Sequence, residues 1–308
     1  MTTVDVLGVD LGGTNLRAMS ATVSPLLDAT IGSEHRERVS GFTPRRLIKR
    51  LRELADELCS EPPAAVAIGI PGPVSSDCEI GHLVNLPDLD GAFLGAIAEA
   101  ELDVPLVVEN DVNLAALGEQ RHGHARTADD VAFIAVGTGV GMGIVAGRRI
   151  LRGARGAAGE LGVLWVPQAG AGNQGAFEPL EAVVGGAALA ERWSAHTGTA
   201  ATGDDVFSAA TSGDGVAREL LSRQARALAD AVRCVHGLLD PELIVFGGGI
   251  GSRPDVIASV RAELAGERDG PVVIRSALGP RAGLYGAIES AITHVARQQP
   301  ANGEVQCS

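Results

Sequence analysis

Val4-Asp-Val-Leu-Gly-Val-Asp-Leu-Gly-Gly-Thr-Asn-Leu-Arg-Ala-Met19 reads as an apolar strand, an Asp-x-Gly-Gly-Thr turn and a second strand. In such a hairpin Gly12 and Gly13 can take positive φ and bring bare backbone N–H groups against an anion. Thr14 adds a hydroxyl, and Asp10 can hold a metal ion or its water shell. A second stretch, Ala132-Phe-Ile-Ala-Val-Gly-Thr-Gly-Val-Gly-Met-Gly-Ile-Val-Ala146, repeats the plan around Gly137, Thr138 and Gly139 but carries no aspartate. Two similar hairpins, one acidic and one not, suggest a duplicated fold with ATP held between its halves.

The rest of the chain fits that plan. Its 308 residues allow two domains, and 45% hydrophobic content with 41 glycines describes a compact protein with many tight turns. A formal charge of −13 argues against nucleic acid or an anionic membrane as partner, since both reward positive surface. Cys59, Cys78, Cys234 and Cys307 show no paired spacing and read as reduced thiols of a cytoplasmic protein. The N-terminus has no basic n-region, so no signal peptide is expected. The uncharged run from Val131 to Gly147 is too short and too glycine-rich to span a membrane.

Thr43-Pro44 opens a helix whose apolar stripe is Leu47, Ile48, Leu51, Leu54 and Leu58. The neighbouring Arg45, Arg46, Lys49, Arg50 and Arg52 read as its solvated face, because Glu53, Asp56 and Glu57 follow at once. Ala64–Ile70 is a buried strand that ends in Pro71-Gly72-Pro73, and Val104-Pro-Leu-Val-Val-Glu-Asn-Asp111 is another that delivers polar residues at its end. Ligands of α/β sheets bind at such strand ends. A long helix spans Val216 to Leu239, and Leu243–Phe246 is a strand ending in Gly247-Gly248-Gly249. Gly198–Gly215 is polar and glycine-rich and reads as an exposed connection. Strands alternating with helices make the class α/β.

Phosphoryl transfer asks for a positioned phosphate, neutralised charge and a base near the attacking hydroxyl. The hairpins answer the first two needs. Asp111 is the candidate base, because it ends a buried strand and begins a helix whose N-terminus favours its ionised form. The alternative for Asp111 is a plain helix cap.

At this point the chain resembles the ROK (repressor, open reading frame, kinase) family of sugar kinases, within the actin-like ATPase superfamily. The resemblance runs through Asp10-Leu-Gly-Gly-Thr14, Gly69-Ile-Pro-Gly-Pro73, Asn85-Leu-Pro87, Glu109-Asn-Asp-Val-Asn113, Gly137-Thr-Gly139, Gly156-Ala-Ala-Gly-Glu-Leu-Gly162, Pro241–Gly249 and Ala282-Gly-Leu-Tyr-Gly286. It implies two actin-like (ribonuclease H-like) lobes with a nucleotide and sugar cleft between them. The lobes would be 1–111, completed by a C-terminal helix over 284–296, and 112–283, with 297–308 a flexible tail. It implies that Asp111 takes the proton of a sugar 6-hydroxyl and that Gly72, Asn85, Asn110, Glu160 and Glu178 contact the sugar with it. The glycines 247 to 249 match the adenosine-side loop, Mg²⁺ would meet Asp10 through water, and a homodimer is implied. Bidentate amide and carboxylate partners suit a hexose, because each unmatched buried partner costs about 1–3 kcal/mol.

The chain departs from the family at a structural zinc site built from one His and three Cys. Here the matching positions are Val163, Ala169, Ala171 and Ala176, none of which offers a lone pair, so no structural zinc is expected. Packing by Leu164, Trp165 and Phe177 is the expected substitute. The spacing of His122 and His124 reads as a polar helix exit, with no third ligand in view. Sequence thus leads to a glucokinase-like, ATP- and Mg²⁺-dependent kinase of a hexose 6-hydroxyl. Its alternatives are a kinase for another hexose or N-acetylhexosamine, a non-catalytic sugar- or nucleotide-responsive binding protein, and a polyphosphate donor, which the −13 charge disfavours.

Overall fold

The computed structural model describes residues 3–39, 41–75, 79–81, 86–92, 94–167 and 176–298. It divides into two compact units, one of residues 1–121, 153–157 and 281–308, the other of 122–152 and 158–280. The first unit therefore runs beyond the expected boundary at 111.

In the first unit β1 (Val4–Leu11), β2 (Asn15–Val23), β3 (Ala29–Arg38), β4 (Ala65–Ile70) and β5 (Leu106–Asn110) form one sheet in the order β3-β2-β1-β4-β5. β1 to β3 pair antiparallel, while β1, β4 and β5 run parallel. Six consecutive buried residues make β4 an interior strand, as expected of a parallel strand covered on both faces. The helix α1 (Pro44–Leu58) begins where the sequence suggests: Thr43 accepts from the Arg46 N–H and Pro44 stands in the first turn. Its buried Leu47, Ile48, Leu51 and Leu54 join Leu7, Val9, Leu11, Ile68 and Ile70 in one core. Each such side chain contributes about 1.5–3 kcal/mol by leaving water. Arg50, on the opposite edge of that stripe, is held by Glu37, Glu53 and Glu57.

The α2 (Leu94–Glu101) and α3 (Asp111–His122) helices flank β5, and α9 (Ala282–Gln298) returns the chain to this unit. Close approach of α3 and α9 depends on two glycines. A Cβ at Gly118 would lie 2.2 Å from the Ala282 carbonyl oxygen, and one at Gly286 would lie 1.8 Å from that of Leu114.

The second unit repeats the sheet plan. It contains β6 (Val131–Val136), β7 (Val140–Ala146), β8 (Arg149–Ile150), β11 (Leu243–Gly247) and β12 (Val273–Arg275), in the order β12-β11-β6-β7-β8. Here too the hairpin strands pair antiparallel and β6, β11 and β12 run parallel. A separate ribbon pairs β9 (Trp165–Pro167) with β10 (Phe177–Pro179). After it come α4 (Glu181–Val184), α5 (Gly186–Thr197), α6 (Gly203–Thr211), α7 (Gly215–Leu239) and α8 (Pro254–Glu263). Ile134, Val136, Leu228, Val232, Val235 and Phe246 lie in its core.

Two expectations fail here. The connection read over Gly198–Gly215 contains α6, whose capping box joins Thr202 and Asp205 and whose Val206 and Phe207 are buried. Trp165 and Phe177 do not pack the ribbon: they are 64% and 53% exposed. In the ribbon register Trp165 opposes Pro179 and Phe177 opposes Pro167, so these four share the outer face and Val166 and Glu178 the inner one. No helix among the described residues is long and apolar enough to cross a membrane.

Candidate functional site

In the first unit the candidate residues collect at the C-terminal ends of three adjacent parallel strands. Asp10, next to last in β1, stands beside Gly69 of β4, and Ile70 stands beside Asn110 at the end of β5. Gly12, Gly13 and Thr14 form the turn after Asp10, closed by a hydrogen bond from the Gly12 N–H to the Asn15 carbonyl at 2.9 Å. Positive φ is not how these glycines serve. Neither Gly12 and Gly13 nor Gly137 and Gly139 are in the left-handed region. Their use lies in space and in donors instead. A Cβ at Gly12 would come no nearer than 3.6 Å to another atom, and the N–H groups of Gly13 and Thr14 have no acceptor among the described residues. Unpaired donors on an exposed turn suit a phosphate.

Burial pushes the Asp10 carboxyl up to about 6, against the pull of Arg17, its cross-strand neighbour. Gly283 of α9 makes room for it, since a Cβ there would lie 3.2 Å from Asp10 Cγ. Among the described residues no group of three or more His, Cys, Asp or Glu side chains is arranged to hold a metal ion. A single carboxylate beside open donors fits a hard cation that keeps its waters and binds phosphate oxygens, as Mg²⁺ does, and does not fit an all-protein cage.

Asp111 begins α3, and its carboxylate accepts the Val112 N–H at 2.8 Å. The cap of α3 is Asn110, whose side-chain oxygen accepts from the Val112 and Asn113 N–H groups at 3.0 and 2.9 Å. The Asn110 amide nitrogen donates to the Gly72 carbonyl at 3.0 Å, which ties α3 to the Pro71-Gly72-Pro73 turn. Gly72 has φ 97°, a conformation that favours glycine. With its oxygen spent twice and one amide hydrogen on Gly72, Asn110 keeps one donor for a ligand. Beneath it Glu109, only 1% exposed, accepts from the Asn110 N–H and the Asn113 side chain at 3.0 Å each. Gly69 lets α3 close on β4, because a Cβ there would meet Leu114 Cδ1 at 2.9 Å and Asp111 Cα at 3.3 Å. Asn85 lies outside the described residues.

The second unit carries the rest. The Gly137–Gly139 turn is closed by the Gly137 N–H on the Gly139 carbonyl at 2.9 Å, and the N–H groups of Thr138 and Gly139 have no acceptor among the described residues. Gly248, at φ 77°, brings the loop after β11 onto the end of β6, where the Val136 carbonyl accepts from Ile250 and Gly251 at 2.9 Å each. A Cβ at Gly249 would meet nothing within 4 Å. The two glycine-rich segments are thus neighbours at the ends of β6 and β11.

Glu160 is exposed, and partial burial together with repulsion from Glu181 raises its pKa. Glu178 points inward from the ribbon and is held by two arginines. Arg192 of α5 reaches one oxygen at 2.5 Å, and Arg223 of α7 takes the other. Arg223 Nε is buried without a partner among the described residues, and two arginines on one carboxylate leave the cluster an excess of positive charge. This clamp does what the aromatic packing was expected to do. Val163 and Ala176 are exposed, whereas Ala169 and Ala171 lie outside the described residues. Replacing Arg223 with Met is expected to cost about 1–3 kcal/mol, since Arg192 still neutralises Glu178. Urea unfolding checks this, and an unchanged midpoint would show that the clamp holds nothing. Arg192, Arg223, Gly69 and Glu181 escape a reading of the sequence, because their roles depend on contacts between distant segments.

The ROK family model matches residues 6–294. Over 235 residues the chain is 37% identical to the bifunctional enzyme NanE/NanK of Brucella suis; the match takes in 75% of this chain and 43% of that protein's length. It is 31% identical over 277 residues to the glucokinase of Halalkalibacterium halodurans, covering 82% of both. Among solved structures, a ROK family glucokinase from Streptomyces griseus in complex with glucose and AMPPNP is similar at a TM-score of 0.74 and 28% identity, over 94% of this chain and 99% of that one. With the family model matched along almost its whole length, the chain belongs to the ROK family.

Proposed function

We propose that the chain is an ATP-dependent kinase for the 6-hydroxyl of a hexose, glucokinase-like, with Asp111 as general base. The observation that carries this reading is the pairing of roles at the end of β5. Asn110 caps α3, and Asp111, whose carboxylate also accepts the Val112 N–H, opens that helix at the same C-terminal ends of the parallel strands as the Asp10 turn. The glucokinase relatives and the glucose and AMPPNP complex of the Streptomyces griseus protein support sugar and ATP as substrates.

In this mechanism the 6-hydroxyl oxygen attacks the γ-phosphorus, its proton passes to Asp111, and the bond to the β,γ-bridging oxygen breaks to release ADP. The N–H groups of Gly13, Thr14, Thr138 and Gly139 would hold phosphate oxygens, with Gly12 and Gly137 keeping their approach open. Gly247, Gly248 and Gly249 would line the adenosine. Asp10 would hold Mg²⁺ through water, and the ion would there supply positive charge for the transferred phosphoryl group. On the acceptor side Gly72, Asn85, Asn110 and Glu160 would meet the sugar hydroxyls, with Glu178 reaching them from its arginine clamp.

That clamp favours a second reading of the acceptor. A carboxylate with both oxygens on arginine has less to offer a sugar, so a hexose other than glucose, an N-acetylhexosamine or a non-catalytic sugar-responsive role competes with glucose. A coupled ADP-release assay with glucose, mannose, fructose, allose, N-acetylglucosamine and N-acetylmannosamine decides among them. Turnover of at least one is the expected result; absence of turnover with all six sinks the kinase reading, and sugar-dependent thermal stabilisation without ADP would then favour the binding role. Zinc analysis of the same preparation should find no stoichiometric metal.

A further inference from the structure

We propose that the cleft between α1 and the end of α2 is a second binding site, one for a small phosphorylated sugar. A cavity of about 570 Å³ opens there, within the size range of small-molecule sites, and none of its lining residues belongs to the candidate site at the strand ends. Arg45, Arg46, Lys49 and Arg52 of α1 line it, together with Glu101 and Asp103. Positions 45, 49 and 52 fall on one stripe of the helix, so three cations stand in a row about 10 Å long.

From the sequence these cations read as a solvated face, because Glu53, Asp56 and Glu57 follow them. Two of those acids are engaged elsewhere. Glu57 binds Arg50 at 2.9 Å, and Glu53 is shared between Arg50 and Lys49 at 3.2 and 3.6 Å. The acids that meet the row are Glu101, whose Oε1 lies 2.8 Å from Arg45, and Asp103, whose Oδ2 lies 2.7 Å from Arg52. Four cations against two acids leave the lining a surplus of two positive charges, which matches the charge of about −1.5 to −2 on a phosphate monoester near neutral pH. Arg45 and Arg52 each place one nitrogen on an acid, and the Arg46 side chain places Nη1 on the Gly41 carbonyl at 2.8 Å. Their forks keep further N–H donors for phosphate oxygens. The acids account for the rest of the ligand. Each keeps a second carboxylate oxygen as an acceptor among the described residues, which suits the hydroxyls of a sugar and disfavours a bare anion. On a chain of formal charge −13, such a cleft is a local arrangement and not a property of the whole surface.

Equilibrium dialysis at low salt tests this, with the non-hydrolysable analogue AMPPNP and excess Mg²⁺ present to occupy the glycine-rich turns. The probes are glucose 6-phosphate, fructose 1,6-bisphosphate and inorganic phosphate. At least one of the two sugar phosphates should be retained at one equivalent, and at least about tenfold more tightly than inorganic phosphate, since only a sugar uses the two acids. Lys49→Glu removes a cation whose one ion pair is the exposed contact with Glu53, so the thermal midpoint should hold while the sugar phosphate weakens about tenfold or more. Arg268→Glu, the same change of charge at an exposed position outside the cleft, should stay within about twofold of the parent. The proposal is overturned if neither sugar phosphate binds, if inorganic phosphate binds as tightly as they do, or if Lys49→Glu and Arg268→Glu weaken binding alike. Should the parent protein turn over no hexose, the kinase reading falls separately, while these binding comparisons still decide the role of the cleft.

Discussion

Asp111→Ala is expected to lower kcat by about two to four orders of magnitude, the usual worth of a general base, and to leave AMPPNP affinity within about threefold of the parent. The fold should tolerate the change. The α3 cap belongs to Asn110, which keeps its bonds to the Val112 and Asn113 N–H groups and to the Gly72 carbonyl. Among the contacts the change removes is the bond from the Val112 N–H to the Asp111 carboxylate at 2.8 Å, an N–H that Asn110 also serves. Thermal midpoint, AMPPNP titration and single-turnover ADP formation measure the three parts. A variant that keeps more than a tenth of the parent turnover would remove Asp111 from the role of base. A variant that loses nucleotide affinity as well would assign it to structure.

The hairpins, the Thr43 cap and the helix stripe of α1 were legible because each is set by residues a few positions apart, where glycine, proline and apolar period speak directly. The same is true of the strand ends that carry Asp10 and Asp111. The acceptor side was less legible. Arg192 and Arg223 lie 14 and 45 residues from Glu178, and no local pattern announces that they converge on it. Trp165 and Phe177 looked like packing because they are large and apolar. In a ribbon of three residues per strand, one step of register decides which face is buried, and here it buries Val166 and Glu178. The α6 helix hid behind glycine and polar residues, although Thr202 and Asp205 have capping-box spacing. Asn110 shows a further kind of limit. Its amide could have belonged to a sugar or to the helix, and only the bonds to Gly72, Val112 and Asn113 show how much of it the helix takes.

Asp10→Asn is expected to move activity and stability in opposite directions. Removing the carboxylate should cost at least about 100-fold in kcat with ATP and Mg²⁺, the scale of losing one preorganised electrostatic contact to the transition state. Stability should rise. Burial raises the Asp10 pKa from 3.8 to about 6, so the folded chain holds this proton more tightly than the unfolded chain does. For such an acid the favourable contribution is fully present below the unfolded value near 3.8 and is lost as pH climbs to about 6. Above that, the ionised carboxylate costs the metal-free fold up to roughly 3 kcal/mol, about two pH units at 1.36 kcal/mol each, less whatever its remaining solvent contact returns. Asn carries no charge to bury. The variant should therefore be more stable than the parent in denaturant titrations at pH 7.5 without Mg²⁺, and the difference should shrink toward zero at pH 4. Equal stability at pH 7.5, or a difference that does not change with pH, would show that Asp10 is not held against its solvation. Retained turnover would separate Asp10 from the phosphoryl-transfer step. The two results together would mean that the first hairpin keeps a carboxylate that its own fold disfavours, which is the expected signature of a group retained for chemistry.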